Sequence, residues 1–149
     1  MTDFSIPIAR LQEPVAVLTA TTVGDTSAVA NAGCVQIDLG SKQVVPRFSL
    51  QVKVTNNATA PGTGDSVTIF YAQSAENITD LTATGAPLSF EGNGETSLAV
   101  ALQNTISAVH RHITAPIDVR ARYLYVWYDI TALAISAKVT ISVELNWLG

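Results

Sequence analysis

Two stretches near the end of the chain decide the fold: Tyr123-Leu-Tyr-Val-Trp-Tyr-Asp129 and Lys138-Val-Thr-Ile-Ser-Val-Glu-Leu-Asn-Trp147. In the second, Val139, Ile141, Val143, Leu145 and Trp147 fall on one side, while Thr140, Ser142, Glu144 and Asn146 fall on the other. Successive side chains of a β-strand point to opposite faces, so this is the pattern of a strand with one face buried and one face wet. The first stretch alternates in the same way, with Tyr123, Tyr125 and Trp127 on one face.

Working outward, Arg47 to Asn56 repeats the pattern, with Phe48, Leu50, Val52 and Val54 opposite Ser49, Gln51, Lys53 and Thr55. Ser66 to Ser74 has apolar residues on both faces, which predicts a central strand. Between them, Asn56-Asn-Ala-Thr-Ala-Pro-Gly-Thr-Gly-Asp65 concentrates residues that favour turns. Further strands are expected at Glu13–Thr22, Cys34–Leu39, Leu88–Phe90, Thr96–Asn104 and His110–Val119, the last interrupted by Pro116. Asn77 to Leu81 is expected to close one helical turn, and Glu91 to Gly94 to form a tight turn. About eight strands separated by turn signals, with no long amphipathic helix pattern, predict an all-β fold. The specific expectation is an antiparallel two-sheet sandwich, jelly-roll-like with Greek-key connections.

The chain's 149 residues suit one domain with one core. Residues 1–14 mix Phe4, Ile6 and Ile8 with Pro7 and Pro14. Proline discourages a helix there, so an extended N-terminal arm is expected, followed by a single sandwich domain over 15–149. Only 13% of residues are charged, against roughly a quarter in a typical soluble domain. A surface made of Thr, Ser, Asn, Gln, Ala and Gly fits a protein held in an assembly or living outside the cell better than a cytosolic enzyme. The net charge of −4, with no basic run, argues against nucleic acid as a partner. No stretch approaches the ~20 apolar residues of a membrane-spanning helix, and the amino terminus lacks a signal-peptide pattern. Synthesis in a cytoplasm and a soluble, membrane-free life are therefore expected.

Reactive constellations are sparse. Cys34 is the only cysteine, so no internal disulfide forms, and its expected role is that of a small buried hydrophobe. His110 and His112 lie two apart on a predicted strand and so project to the same side, the minimum for a shared metal, with Arg111 on the other. Two ligands are too few, and neither Asp118, Asp129 nor Glu144 is brought to them by any spacing argument. The expected role is a polar outer strand face at a subunit contact. Tyr123, Tyr125 and Trp127 on one strand face are expected to fill the core or a subunit interface. The alternative is a platform on which sugars stack, which makes a carbohydrate- or receptor-binding module the rival to a purely structural role. Phosphate loops, dinucleotide fingerprints and nucleophile elbows are all missing from the sequence, so no enzyme and no cofactor are expected.

With Ser66-Val-Thr-Ile-Phe-Tyr-Ala-Gln-Ser-Ala-Glu-Asn77 and Arg120-Ala-Arg-Tyr-Leu-Tyr-Val-Trp-Tyr-Asp-Ile-Thr-Ala132, the chain resembles small structural proteins of tailed bacteriophage virions. The resemblance lies mostly within residues 66 to 147 and consists of sandwich-strand patterns. It implies a capsid decoration, or cement, protein, or a related head or tail component, made in the host bacterial cytoplasm and bound to the outside of the virion. Its implied partners are the major capsid protein and copies of itself in a homotrimer. The assembly contacts expected on this reading are Phe4, Ile6 and Ile8 of the arm, with His110, Arg111 and His112.

Overall fold

The structure, a computed structural model, describes residues 15–23, 32–40, 47–57, 60–79, 81, 95–131 and 139–148. The expected arm at 1–14, with Phe4, Ile6 and Ile8, lies outside the described residues, as do the short strand at 88–90 and the turn at 91–94. The described residues form nine strands: β1 (Val15–Val23), β2 (Ala32–Asp38), β3 (Arg47–Asn56), β4 (Ser66–Ser74), β5 (Glu95–Ala101), β6 (Val109–Ile113), β7 (Ile117–Asp118), β8 (Tyr123–Thr131) and β9 (Val139–Leu148).

The strands build two antiparallel sheets. One has the order β1-β9-β3-β6, with β7 also paired to β3, and the other has the order β2-β8-β4-β5. The pairing is nested: β1 with β9, β2 with β8, β3 with β6 and β4 with β5. A chain whose first half pairs with its second half in reverse order is one long hairpin. The contacts of β9 with β3 and of β8 with β4 roll that hairpin into two sheets. This is the jelly-roll arrangement, an all-β sandwich.

Sequence alternation explains which faces meet. Phe48, Leu50, Val52 and Val54 of β3 and Val139, Ile141, Val143 and Leu145 of β9 are fully buried. They pack against Val67 and Ile69 of β4 and Leu124, Val126 and Tyr128 of β8 in one core between the sheets. Their cross-strand partners are fixed by register, for instance Val52 with Val143 and Val54 with Ile141. A slip of one residue would turn every one of these side chains to solvent, so burial of this face pins the pairing.

Several local expectations are corrected. Tyr123, Tyr125 and Trp127 do share a face, but it is the outer face of the second sheet. The inter-sheet core is filled instead by Leu124, Val126 and Tyr128. The interruption expected at Pro116 is present: Thr114-Ala-Pro116 breaks the ladder and divides 110–119 into two strands, β6 and β7. Residues 75–79 form no helical turn. The central position expected for β4 holds, since it lies between β8 and β5.

Candidate functional site

The outer face of the second sheet carries a second apolar cluster, formed by Ala72, Tyr125 and Trp127 with Cys34, Phe70, Ile78, Leu81 and Tyr123 packed against it. Phe70 and Trp127 sit opposite each other on adjacent strands and stack with ring centroids 5.7 Å apart and planes 10° apart. Tyr125 is wholly buried, and its hydroxyl ties down the segment after β4. It accepts hydrogen bonds from Gln36 Nε2 and from the Ile78 backbone N–H, both at 2.8 Å, and donates to the Glu76 carbonyl at 2.6 Å. Gln36 Nε2 also donates to Asn77 Oδ1 at 2.8 Å. The sheet face is thereby roofed by residues 76–78. Trp127 keeps only 5% of its surface exposed, so its ring is not a flat platform presented to solvent.

Cys34 lies half-buried in this cluster, where burial pushes its thiol pKa up to about 11. A thiol held this far into its protonated form is a poor nucleophile. It behaves as the small hydrophobe its neighbours suggest.

At the end of the same sheet, Asp38 and Arg122 line a cleft of about 510 Å³ together with Leu39, Gly40, Val119 and Arg120. Arg122 donates from Nε and Nη2 to both Asp38 oxygens at 3.0 to 3.3 Å. Its guanidinium also lies 5.2 Å from the centre of the Tyr123 ring. The hydrogen bond from Arg122, then that from the Gly40 amide, holds the Asp38 carboxyl below the usual carboxylate range. A Cβ at Gly40 would lie 3.0 Å from Arg122 Cγ and Asp38 Oδ1, so a larger residue there would push on the ion pair. The exposed pair ties the end of β2 to the turn before β8 at this corner.

The three sequence-singled residues on β6 divide between two faces. His110 pairs with Val54 and His112 with Val52, so both are on the side of the core. Only His112 is exposed. His110 is 9% exposed, and its Nε2 has no hydrogen-bond partner among the described residues. Burial, and secondarily the nearby His112, lowers the His110 pKa. The exposed polar face expected for this histidine pair is corrected for His110 alone; Arg111 faces the other way, as expected, opposite Lys53 of β3. Among the described residues, no three His, Cys, Asp or Glu side chains converge in a way that would hold a metal.

The large hydrophobic side chains left exposed among the described residues gather at this same edge. They are Val109 and Ile113 of β6 and Ile106 in the turn that leads into it. These neighbours of His110, Arg111 and His112 carry no signal of their own in the sequence, because an apolar residue on a strand reads as core until pairing shows the strand to be an edge. No helix among the described residues is long and apolar enough to cross a membrane. No protein-family model and no curated protein sequence matches the chain.

Proposed function

We propose that the protein is a virion structural component of a tailed bacteriophage, a decoration protein that binds the outer surface of the capsid and stabilises the shell as a homotrimer. The observation that carries this reading is that the large apolar side chains left exposed among the described residues, Ile106, Val109 and Ile113, gather along the β6 edge of the jelly roll. Jelly rolls recur in viral capsids, where a rigid two-sheet body presents surfaces to its neighbours. The two sequence stretches that resemble phage virion proteins contain β4 and β8, the paired central strands of one sheet.

In this reading the chain works by contact and performs no catalysis. Packaged DNA strains a shell by pushing its subunits apart. A clamp across neighbouring subunits opposes their separation by burying apolar area, at about 25 cal/mol per Å² before ordering costs. Copies repeated over the shell convert a modest contact into a strong one through multivalency. A trimer places three equivalent contacts around a local three-fold axis.

A sugar-binding module is the rival. It is disfavoured by the packing of Tyr125 and Trp127, whose rings are occupied by one another's neighbours and by residues 76–78.

The test combines light scattering with pelleting. The purified protein is expected to have the mass of a trimer and to sediment with expanded capsids of the encoding phage. A monomer that stays in the supernatant refutes the proposal. Removal of residues 1–12 measures the arm's share, and unchanged binding would take Phe4, Ile6 and Ile8 out of the mechanism.

A further inference from the structure

Among the described residues, β6 is the outer strand of its sheet and pairs only with β3. Two hydrogen bonds fix its phase: the Asn56 N–H donates to the Ala108 carbonyl at 2.8 Å, and the Thr114 N–H donates to the Leu50 carbonyl at 2.9 Å. In an antiparallel ladder, alternate residues point both backbone groups at the same neighbour. His110 and His112 therefore bond toward β3, while Val109, Arg111 and Ile113 point their N–H and C=O groups away from the sheet. The same three residues put their side chains on the outer face, opposite Thr55, Lys53 and Gln51.

That edge is apolar and cationic at once. Ile113 is 66% exposed and Val109 40%, with Arg111 between them. Like charges directly across a strand pair destabilise it, and Arg111 faces Lys53. Neither is in an ion pair among the described residues. On a chain of net charge −4, two adjacent unpaired cations flanked by exposed aliphatics form a surface complementary to an acidic, partly apolar strand.

We infer that β6 is a docking edge for an extended acidic segment of another protein, which adds to the sheet as an antiparallel strand with Asp or Glu opposite Arg111 and apolar residues opposite Val109 and Ile113. In strand addition, main-chain hydrogen bonds supply affinity and alternate side chains supply specificity. A second copy offering its own β6 in full register would set Arg111 against Arg111 and add to the repulsion from Lys53. Charge thus selects an acidic partner over a self-pair. The inference rests on the edge alone and stands whether or not the protein clothes a capsid.

The experiment uses the full chain and two end-capped peptides, one with a Val-Thr-Glu-Thr-Val core and one with lysine in place of the glutamate. Binding is read by fluorescence anisotropy and backbone protection by hydrogen exchange. Replacing the exposed repulsion at Arg111 by an attraction is expected to favour the glutamate peptide by up to about tenfold. The preference should invert in Arg111→Glu, an exposed substitution. In the wild-type complex the amides of Val109, Arg111 and Ile113 should gain protection while those of His110 and His112 do not change. Equal affinity for the two peptides, no binding of either, or protection that does not alternate along β6 overturns the inference. So does self-association that Arg111→Glu abolishes, because the occupant would then be a second copy.

Discussion

Replacing Tyr125 by phenylalanine isolates the hydroxyl that holds residues 76–78 over the second sheet. The ring stays, so apolar packing in the outer cluster is conserved, and the hydrogen bonds to Gln36, Ile78 and Glu76 are lost. Their losses are unequal. Gln36 Nε2 retains Asn77 Oδ1 as an acceptor, and Glu76 is exposed, so its carbonyl rehydrates. The half-buried Ile78 amide has no such substitute. One under-satisfied donor plus two weakened bonds amounts to about 1 to 2 kcal/mol. For a domain of this size that lowers the melting temperature by roughly 3 to 8 °C. Urea denaturation of the wild type and Tyr125→Phe supplies the free-energy difference, and hydrogen exchange locates it. The Ile78 amide should lose protection while the β3 and β9 amides keep theirs up to the global limit. A stability change below about 0.3 kcal/mol would refute the hub role of the hydroxyl. So would an Ile78 amide that exchanges as slowly in the variant as in the wild type.

Three further outcomes are expected. His110 is buried with a lowered pKa, so the folded state disfavours its protonated form. Its contribution to stability is complete above the unfolded value of about 6.5 and is lost as pH falls through the folded pKa. Thermal melts between pH 7.5 and 5 should therefore show a decline that His110→Gln flattens. Cys34, with its pKa raised from 9.0 to about 11, should react with iodoacetamide about 100-fold more slowly in the folded protein than in denaturant at neutral pH; comparable rates would contradict the burial. Asn56 Nδ2 donates to the Gln103 and Thr105 carbonyls at 2.8 Å from a buried site and so staples the β5–β6 turn. Asn56→Asp removes both donors and buries a carboxylate against two carbonyls, for a loss of about 3 kcal/mol or more at pH 7 by chemical denaturation.

The alternation of Phe48 to Val54 and of Val139 to Leu145 was enough to specify two strands and the faces they bury, because period two and burial are local properties of a sequence. The turn chemistry of 56–65 likewise announced itself, with Gly64 at φ 92° and the Asp65 carboxylate accepting from the Gly62 amide. Strand β8 shows where local reading stops. Both of its faces are apolar, Leu124-Val126-Tyr128 on one and Tyr123-Tyr125-Trp127 on the other, and hydrophobicity alone gave the heavier aromatics to the core. The nested pairing put the Leu124-Val126-Tyr128 face inside, and the segment after β4 supplied a cover for the other one.

The histidines of β6 carry the same lesson. From sequence they share a side of a strand, but which side depends on the register of that strand with Val52 and Val54. Residue alternation and turn chemistry establish that the chain is made of strands, where most of them run, and which residues within a strand travel together. That β6 lies at an edge, that His110 faces inward, and that Arg111 stands beside Lys53 with aliphatic neighbours in the open follow from strand pairing. The physical reason is that side-chain alternation is set by each residue's own backbone geometry. Edge position and facing are set by hydrogen bonds between residues tens of positions apart, and the strand's own residues do not encode their partners.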